Sequence, residues 1–310
     1  MNQKFSTLLK ISISLILLAV LIYKIGWQSL ISTISSANLL ILSLILPLKL
    51  FSFLFTTLNI KIFLDGIKKK VRSRKLFIYT NLAWAWGLFL PGRIGEFSLV
   101  YFLKEEGITY GESSAVALLD KISTFIVLSI FSLLAILKYF NPALALRFAV
   151  TALTVIILSL LVLSNAKIRT FVRNKILKSY AHLFSGFNTS LKELLLKNKK
   201  LFLFNLMSTT IKWGCSFLII QIIFSALGTV VNFSDVCYIT SLSLLISLIP
   251  VSIGGLGVRE GSAVYLFNLI GIKPELTLSV YLINTALNYI FGTILIGINL
   301  GKVNHVEKND

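Results

Sequence analysis

Runs of about 20 apolar residues, the length a helix needs to cross a hydrocarbon core about 30 Å thick, recur along this chain. Six are uninterrupted: 7–25, 38–60, 113–137, 143–164, 201–227 and 276–300. Two further apolar regions, about 76–103 and 236–270, are broken in the middle. Pro91, Gly92 and Gly95 interrupt the first; Pro250, Gly254, Gly255 and Gly257 interrupt the second. The segment 76–90 has 15 residues, about 22 Å as a helix at 1.5 Å per residue, which is too short to span. The pattern predicts an all-α polytopic membrane protein with about six full spans and two re-entrant broken-helix hairpins. The 310 residues read as one integral membrane domain.

Composition agrees with this pattern. A chain that is 56% hydrophobic and 14% charged, with a mean hydropathy of +0.88, is not a water-soluble globule, whose charged fraction is nearer a quarter. Lys4 and Lys10 precede the first apolar run, but no small-x-small cleavage site follows closely, so a retained span is expected rather than a removed signal. Cys215 and Cys237 lack CxxC spacing, and His182 and His305 stand far apart. Neither a disulfide scaffold nor a metal site is indicated, and no cofactor is expected.

Charge then orients the spans. Lys and Arg number 30 against 12 Asp and Glu, a net charge of +18, and short basic loops face the cytoplasm. The loop 61–75 carries seven basic residues and the stretch 167–200 carries nine. Both fall inside only if the region 76–103 dips into the membrane and returns. The same count takes the span 201–227 outward, so the region 236–270 must dip from the opposite face. The N- and C-termini are then cytoplasmic. Within about 165–200, apolar positions recur at helical spacing among basic residues, which predicts an amphipathic helix on the anionic cytoplasmic leaflet. Topology accounts for the positive excess, so nucleic acid is not an expected partner.

The two breaks match each other. Pro91, Ile94 and Gly95 align with Pro250, Ile253 and Gly254 as P-x-x-I-G; Glu96, Ser98, Val100 and Tyr101 align with Glu260, Ser262, Val264 and Tyr265 as E-x-S-x-V-Y. The second copy carries five extra residues, 255–259. Three spans separate the copies, so the repeats are expected to be inverted. Transporters use this arrangement, in which broken helices from inverted halves build a site near the midplane.

Charges inside a bilayer are costly, by about 2.5–3.5 kcal/mol on insertion scales, and mark candidate sites. Arg93 and Glu96 sit at the first break, Arg259 and Glu260 at the second, while Asp120 and Lys212 interrupt apolar spans. Each break starts a half-helix, whose free N–H groups and positive dipole end suit an anion. Two such ends flanked by Arg93 and Arg259 would suit a phosphate-sized group, with Glu96 and Glu260 balancing the arginines or carrying a coupling ion; holding the hairpins in place is the alternative role for these pairs. Lys49 and Lys121 are weaker candidates, since Lys49 could snorkel toward water and Lys121 could lie at the interface.

The run from Leu90 to Glu96, the segment Leu118 to Lys121, and the G-G-L-G-V-R-E run from Gly254 to Glu260, followed by Gly271 and Ile272, resemble the membrane region of lysylphosphatidylglycerol synthases and their stand-alone, flippase-like relatives. The resemblance covers nearly the whole chain. Arg93, Glu96, Asp120, Arg259 and Glu260 fall on positions of the family's motifs; Leu99, Ile253 and Asn284 depart from them. In the full-length synthases a soluble domain transfers lysine to phosphatidylglycerol. The 310 residues contain no counterpart of it, so that activity is not expected here.

The resemblance implies movement of a lipid, or of a lipid-linked headgroup, between leaflets of a prokaryotic cytoplasmic membrane. Membrane lipids with a phosphate-bearing headgroup are the expected partners; a homo-oligomer and a partner glycosyltransferase or synthase stay open. Two alternatives remain: an enzyme or accessory acting on polyprenyl-phosphate-linked sugars, or a small-solute secondary transporter. No G-x-x-x-x-G-K-[ST] phosphate loop, G-x-S-x-G elbow or H-E-x-x-H helix is present, which weighs against an enzyme.

Overall fold

The computed structural model describes residues 3–90, 95–164, 185–249 and 252–303. Every regular element among them is helical, and the protein is an all-α polytopic membrane protein. The chain opens with α1 (Gln3–Ile25), which ends where Gly26 takes a φ of 94°. There it bends by 85° into α2 (Trp27–Ser35), whose Leu30 is buried while Trp27 and Ile31 stay exposed. After α3 (Leu39–Ser43), capped by the Asn38 side chain, come α4 (Ile45–Gly66), α5 (Ser73–Phe89), α6 (Ser98–Lys104) and α7 (Tyr110–Tyr139). Next are α8 (Pro142–Ser164), α9 (Phe187–Lys192), a π-helical turn (Glu193–Lys197) and α10 (Lys199–Ala226). The chain continues through α11 (Phe233–Ile246), α12 (Val258–Asn268) and α13 (Pro274–Val303).

Four helical stretches among the described residues are long and apolar enough to cross a membrane: Leu39–Gly66, Tyr110–Tyr139, Lys199–Ala226 and Pro274–Asn299. The bent α1–α2 pair makes a fifth candidate, and Pro142–Leu158 is a shorter apolar helix. Of the amphipathic stretch expected over 165–200, residues 165–184 lie outside the described set. Its described end is not a surface helix alone, since Leu191 and Leu194 are buried.

Both broken regions double back. In the first, Gly95 comes so close to α5 that a Cβ there would sit 2.2 Å from the Trp86 carbonyl carbon. At the other end Lys75 Nζ pairs with Glu106 Oε1 at 2.7 Å, and Tyr79 stacks on Phe102 with ring centroids 5.4 Å apart. The two ends therefore adjoin. In the second region the chain turns through Ile253–Gly255, and Gly255 presses on Ser247 at the end of α11, where a Cβ would meet that side chain at 2.7 Å. Phe267, near the end of α12, packs against Phe224 of α10 with centroids 5.0 Å apart.

The stretches on either side of the two breaks share local features. Each hairpin follows a 28-residue helical stretch, Leu39–Gly66 or Lys199–Ala226, and precedes a 30-residue helix, α7 or α13. The turn before the first hairpin bonds Ile67, Lys68 and Lys69 N–H to Phe63, Asp65 and Leu64 carbonyls; its counterpart bonds Leu227, Gly228 and Thr229 to Ile223, Ser225 and Phe224. Lys68 and Gly228 take the same left-handed conformation, φ 58° and 77°. After the hairpins, Gly107 and Gly271 do likewise, with φ 76° and 80° and matching bonds to Lys104 and Asn268 carbonyls. In this correspondence Asp120 of α7 falls on Asn284 of α13.

The contacts divide the chain into two compact units: residues 1–51, 81–96 and 214–310 form one, and 52–80 and 97–213 form the other. The core of the second includes a buried amide cluster, in which Asn59 Nδ2 donates to Thr209 Oγ1 at 3.0 Å and Asn205 Nδ2 donates to the Asn59 carbonyl at 2.9 Å. In the first unit α12 packs between α11 and α13, with α1 also against it.

Candidate functional site

Inside the first unit, the break of the second hairpin leads directly into α12. Gly257 caps that helix, and its N–H donates to Glu260 Oε2 at 2.7 Å. A glutamate three positions into a helix can reach back this way and satisfy an otherwise orphaned donor. The anion that the sequence places at this half-helix terminus is therefore the chain's own Glu260 carboxylate, and that terminus does not stand open to a ligand.

Glu260 is fully buried, with 0% of its surface exposed. Its other oxygen, Oε1, accepts from Arg259: Nε donates at 3.1 Å and Nη2 forms a close charged contact. Arg259 Nη2 also donates to Thr285 Oγ1 of α13 at 2.7 Å, and that hydroxyl lies 3.4 Å from Glu260 Oε1 and can donate to it. The guanidinium is itself largely covered, its side chain 12% exposed. A buried pair of this kind stands because additional hydrogen bonds from Gly257 and Thr285 offset its desolvation.

Beside this pair lies a small cleft of about 30 Å³. Arg259, Gly254 and Leu256 line it from the second hairpin; Gly87 and Leu88 line it from the first; Thr285, Asn288 and Tyr289 line it from α13. Both broken regions thus reach one cleft. The α5 side is held by Tyr289 Oη, which donates to the Leu88 carbonyl at 3.2 Å, and by the edge-on contact of Phe89 with Tyr289 at 5.3 Å. Gly292, one turn further along α13, allows this approach, since a Cβ there would meet Leu88 at 2.9 Å.

Lys49 reaches the same face. It follows Pro47 in α4, and its Nζ donates to Asn288 Oδ1 at 2.6 Å while lying 4.4 Å from the centroid of the Trp84 ring. Asn288 Nδ2 in turn donates to Asn284 Oδ1 at 3.4 Å. An amide oxygen and a ring face thus hold its ammonium on the side toward α13.

The other residues singled out in the sequence fall elsewhere. Arg93, with Pro91, Gly92 and Pro250, lies outside the described residues. Glu96 packs on the first hairpin's own wall, its Cγ 2.6 Å from where a Cβ of Gly87 would stand. Asp120 and Lys212 belong to the second unit. Asp120 is 7% exposed and its Oδ1 has no hydrogen-bond partner; Ser123 Oγ, one turn along α7, is also buried and unpartnered. Lys212 Nζ lies 6.0 Å from the Trp213 ring centroid.

Sequence reasoning missed the stripe on α13. Tyr281, Asn284, Thr285 and Asn288 follow the i, i+3, i+4, i+7 spacing of one helical face inside an otherwise apolar span. Four polar groups on one face of a spanning helix were the signal for it. No cluster of metal-ligating side chains occurs among the described residues.

The family model described as the lysylphosphatidylglycerol synthase TM region matches residues 7–296. No curated protein matches the chain.

Proposed function

The chain belongs to the family of the lysylphosphatidylglycerol synthase transmembrane region, and from that premise we propose that it is a flippase-like lipid translocase. It moves a phospholipid, or a lipid-linked headgroup bearing phosphate, between the leaflets of a prokaryotic cytoplasmic membrane in which both of its termini face the cytoplasm. The observation that carries this reading is the Arg259–Glu260 pair, buried beside a cleft that both broken regions line. Intramembrane charges of this kind mark substrate pathways, and half-helices from inverted repeats meeting near the midplane are a transporter arrangement.

In this reading Arg259 is the headgroup contact and Glu260 its counterion when the cleft is empty. A phosphate entering the cleft takes guanidinium donors from Thr285 and Glu260 and replaces one charge-assisted hydrogen bond by another. Arg93 and Glu96 act in the same way at the first hairpin, and Asp120 and Lys212 are further headgroup contacts. The two hairpins open the cleft alternately to the two faces. The 30 Å³ cleft is the closed state, because a headgroup needs more room.

The test is a leaflet-accessibility assay on proteoliposomes, comparing labelled anionic, zwitterionic and polyprenyl-phosphate lipids. Wild-type protein is expected to move at least one class. Arg259→Ala, alone or with Arg93→Ala, is expected to slow that movement at least ~10-fold, the effect of losing a charged hydrogen bond. Movement that persists in both variants removes the arginines from the headgroup site. No movement of any lipid by the wild type turns the assignment toward an accessory of polyprenyl-phosphate chemistry.

A further inference from the structure

We infer that α2 is an in-plane interfacial helix whose partner is the boundary between headgroups and acyl chains of the leaflet at the face where α1 ends. Apolar insertion holds it there, and charge does not. The inference stands apart from the translocase reading and would hold in a protein that moves no lipid.

The two ends of α2 place it. Before it, α1 runs for 23 residues, about 34 Å, enough to cross a membrane on its own. It packs on α12, where Gly257 leaves room for Leu17: a Cβ on that glycine would stand 2.6 Å from the Leu17 Cβ. The chain then bends by 85° at Gly26 into α2, which has 9 residues and is about 13 Å long. That is too short to cross, so both ends of α2 belong to one face. The far end is fixed independently, because Asn38 N–H donates to the carbonyl of Ala226, the last residue of α10, at 2.8 Å. Asn38 also caps α3, with which the spanning stretch Leu39–Gly66 begins. α2 therefore joins the end of one span to the start of another, level with the end of a third.

Its surface divides as that position requires. Trp27, Ile31 and Ile34 follow the i, i+4, i+7 spacing of one helical face, and all three are exposed. Gln28, Ser32 and Ser35, each one residue on, form a second exposed row about 100° around the helix. Leu30, on neither row, is buried, and α2 packs on α13. A helix standing in water has no use for the first row, and one sunk in hydrocarbon has none for the second. The two together fit a helix half-sunk at the boundary. Tyr23 and Trp27, exposed on either side of the bend, are the aromatic types that gather at that depth. The Ser32 and Ser35 hydroxyls donate to the Ser29 and Ser32 carbonyls at 2.9 and 3.0 Å, which keeps their lone pairs for water or headgroup donors. No residue from Trp27 to Ser36 is charged. Attraction to anionic lipid thus contributes nothing along α2, and the apolar row carries the seating.

The experiment uses the full-length protein, one copy per lipid nanodisc, with an environment-sensitive fluorophore on an introduced cysteine, Ile31→Cys or Ser32→Cys. Trp27→Cys and Gln28→Cys form a second pair that serves if either of the first does not fold, and the native Cys215 and Cys237 are buried. The label on Ile31→Cys is expected to be shielded from aqueous iodide and quenched best by a lipid nitroxide at a shallow depth of about 5–10 Å. On Ser32→Cys the lipid quenching should be lost and the iodide quenching gained. The same contrast is expected in wholly zwitterionic and in partly anionic discs. Iodide quenching at both positions, with lipid quenching at neither, places α2 in water and overturns the inference. Quenching at both positions that is strongest from a nitroxide at the chain end makes α2 half of a broken span and overturns it too. A label on Ile31→Cys that neither quencher reaches assigns the face to protein, and a contrast that vanishes in zwitterionic discs assigns the seating to charge; either result sinks the proposal.

Discussion

A carboxylate with no exposed surface is tolerable at Glu260 because Gly257, Arg259 and Thr285 surround it with hydrogen-bond donors. Truncating it leaves a guanidinium buried among groups that cannot neutralise it, and breaking a buried pair from one side costs about 3–5 kcal/mol. Glu260→Ala should therefore melt at a lower temperature than wild type in detergent, whereas the double variant Arg259→Met, Glu260→Leu should recover most of the loss and still fail to move lipid. Equal melting of the single and double variants would mean that the pair does not behave as a unit. Gly95 offers a second residue-scale contrast. A methyl group there collides with the backbone of Trp86, while Gly214, helical with nothing within 4 Å of its Cβ position, has room for one. Gly95→Ala is expected to cost about 1–3 kcal/mol or to prevent the hairpin from closing. Gly214→Ala should be neutral or stabilising by up to about 1 kcal/mol, since alanine is the better helix former.

The repeated turns allow a comparison between elements that a single copy would not. Lys68 and Gly228 occupy the same step of the same turn with the same sign of φ, yet only one of them is glycine. A side chain held in the left-handed region costs about 1–2 kcal/mol, and the exposed position of Lys68 gives nothing obvious in return. Lys68→Gly should raise the melting temperature and Gly228→Ala should lower it; a drop in the first would assign Lys68 a contact that outweighs its backbone cost. At this scale much was legible in the sequence. The breaks announced themselves because proline and glycine punctuate apolar helices. The bend at Gly26 was not, because a lone glycine after a long apolar run reads as a plain helix end. The bond from Lys49 to Asn288 was not legible either, since the two are 239 residues apart in the chain and only the fold brings them together. The capping of α12 by Glu260 was hidden for a different reason: the same glutamate satisfies both the pattern for an anion site and the pattern for a self-capped helix.

At the scale of the whole molecule, two long helices carry polar side chains at matching places but with different chemistry. Asp120 and Asn284 stand at matching places in the two 30-residue helices, the first an acid with an unpartnered oxygen and the second an amide one turn from the Lys49 acceptor. The matching places thus hold an acid in one helix and an amide in the other. The topology predicted from the distribution of charge has the two hairpins dipping from opposite faces. The adjoining ends of the first hairpin, Lys75 against Glu106, keep both of its arms on one side, so the next helix must carry the chain across. Asn141, in the short turn between α7 and α8, should then be external, while Glu105, exposed at the hairpin's end, should be cytoplasmic. A membrane-impermeant maleimide applied to intact cells is expected to label Asn141→Cys and to spare Glu105→Cys until the membrane is opened. Cys215 and Cys237 are both buried and should contribute little background. Labelling of Glu105→Cys from outside with Asn141→Cys protected would turn the orientation of that hairpin over, and the basic loop 61–75 would then stand outside against the distribution of charge. Labelling of both positions from outside would mean that α7 does not cross, and the inverted arrangement, with the alternate opening that depends on it, would fall.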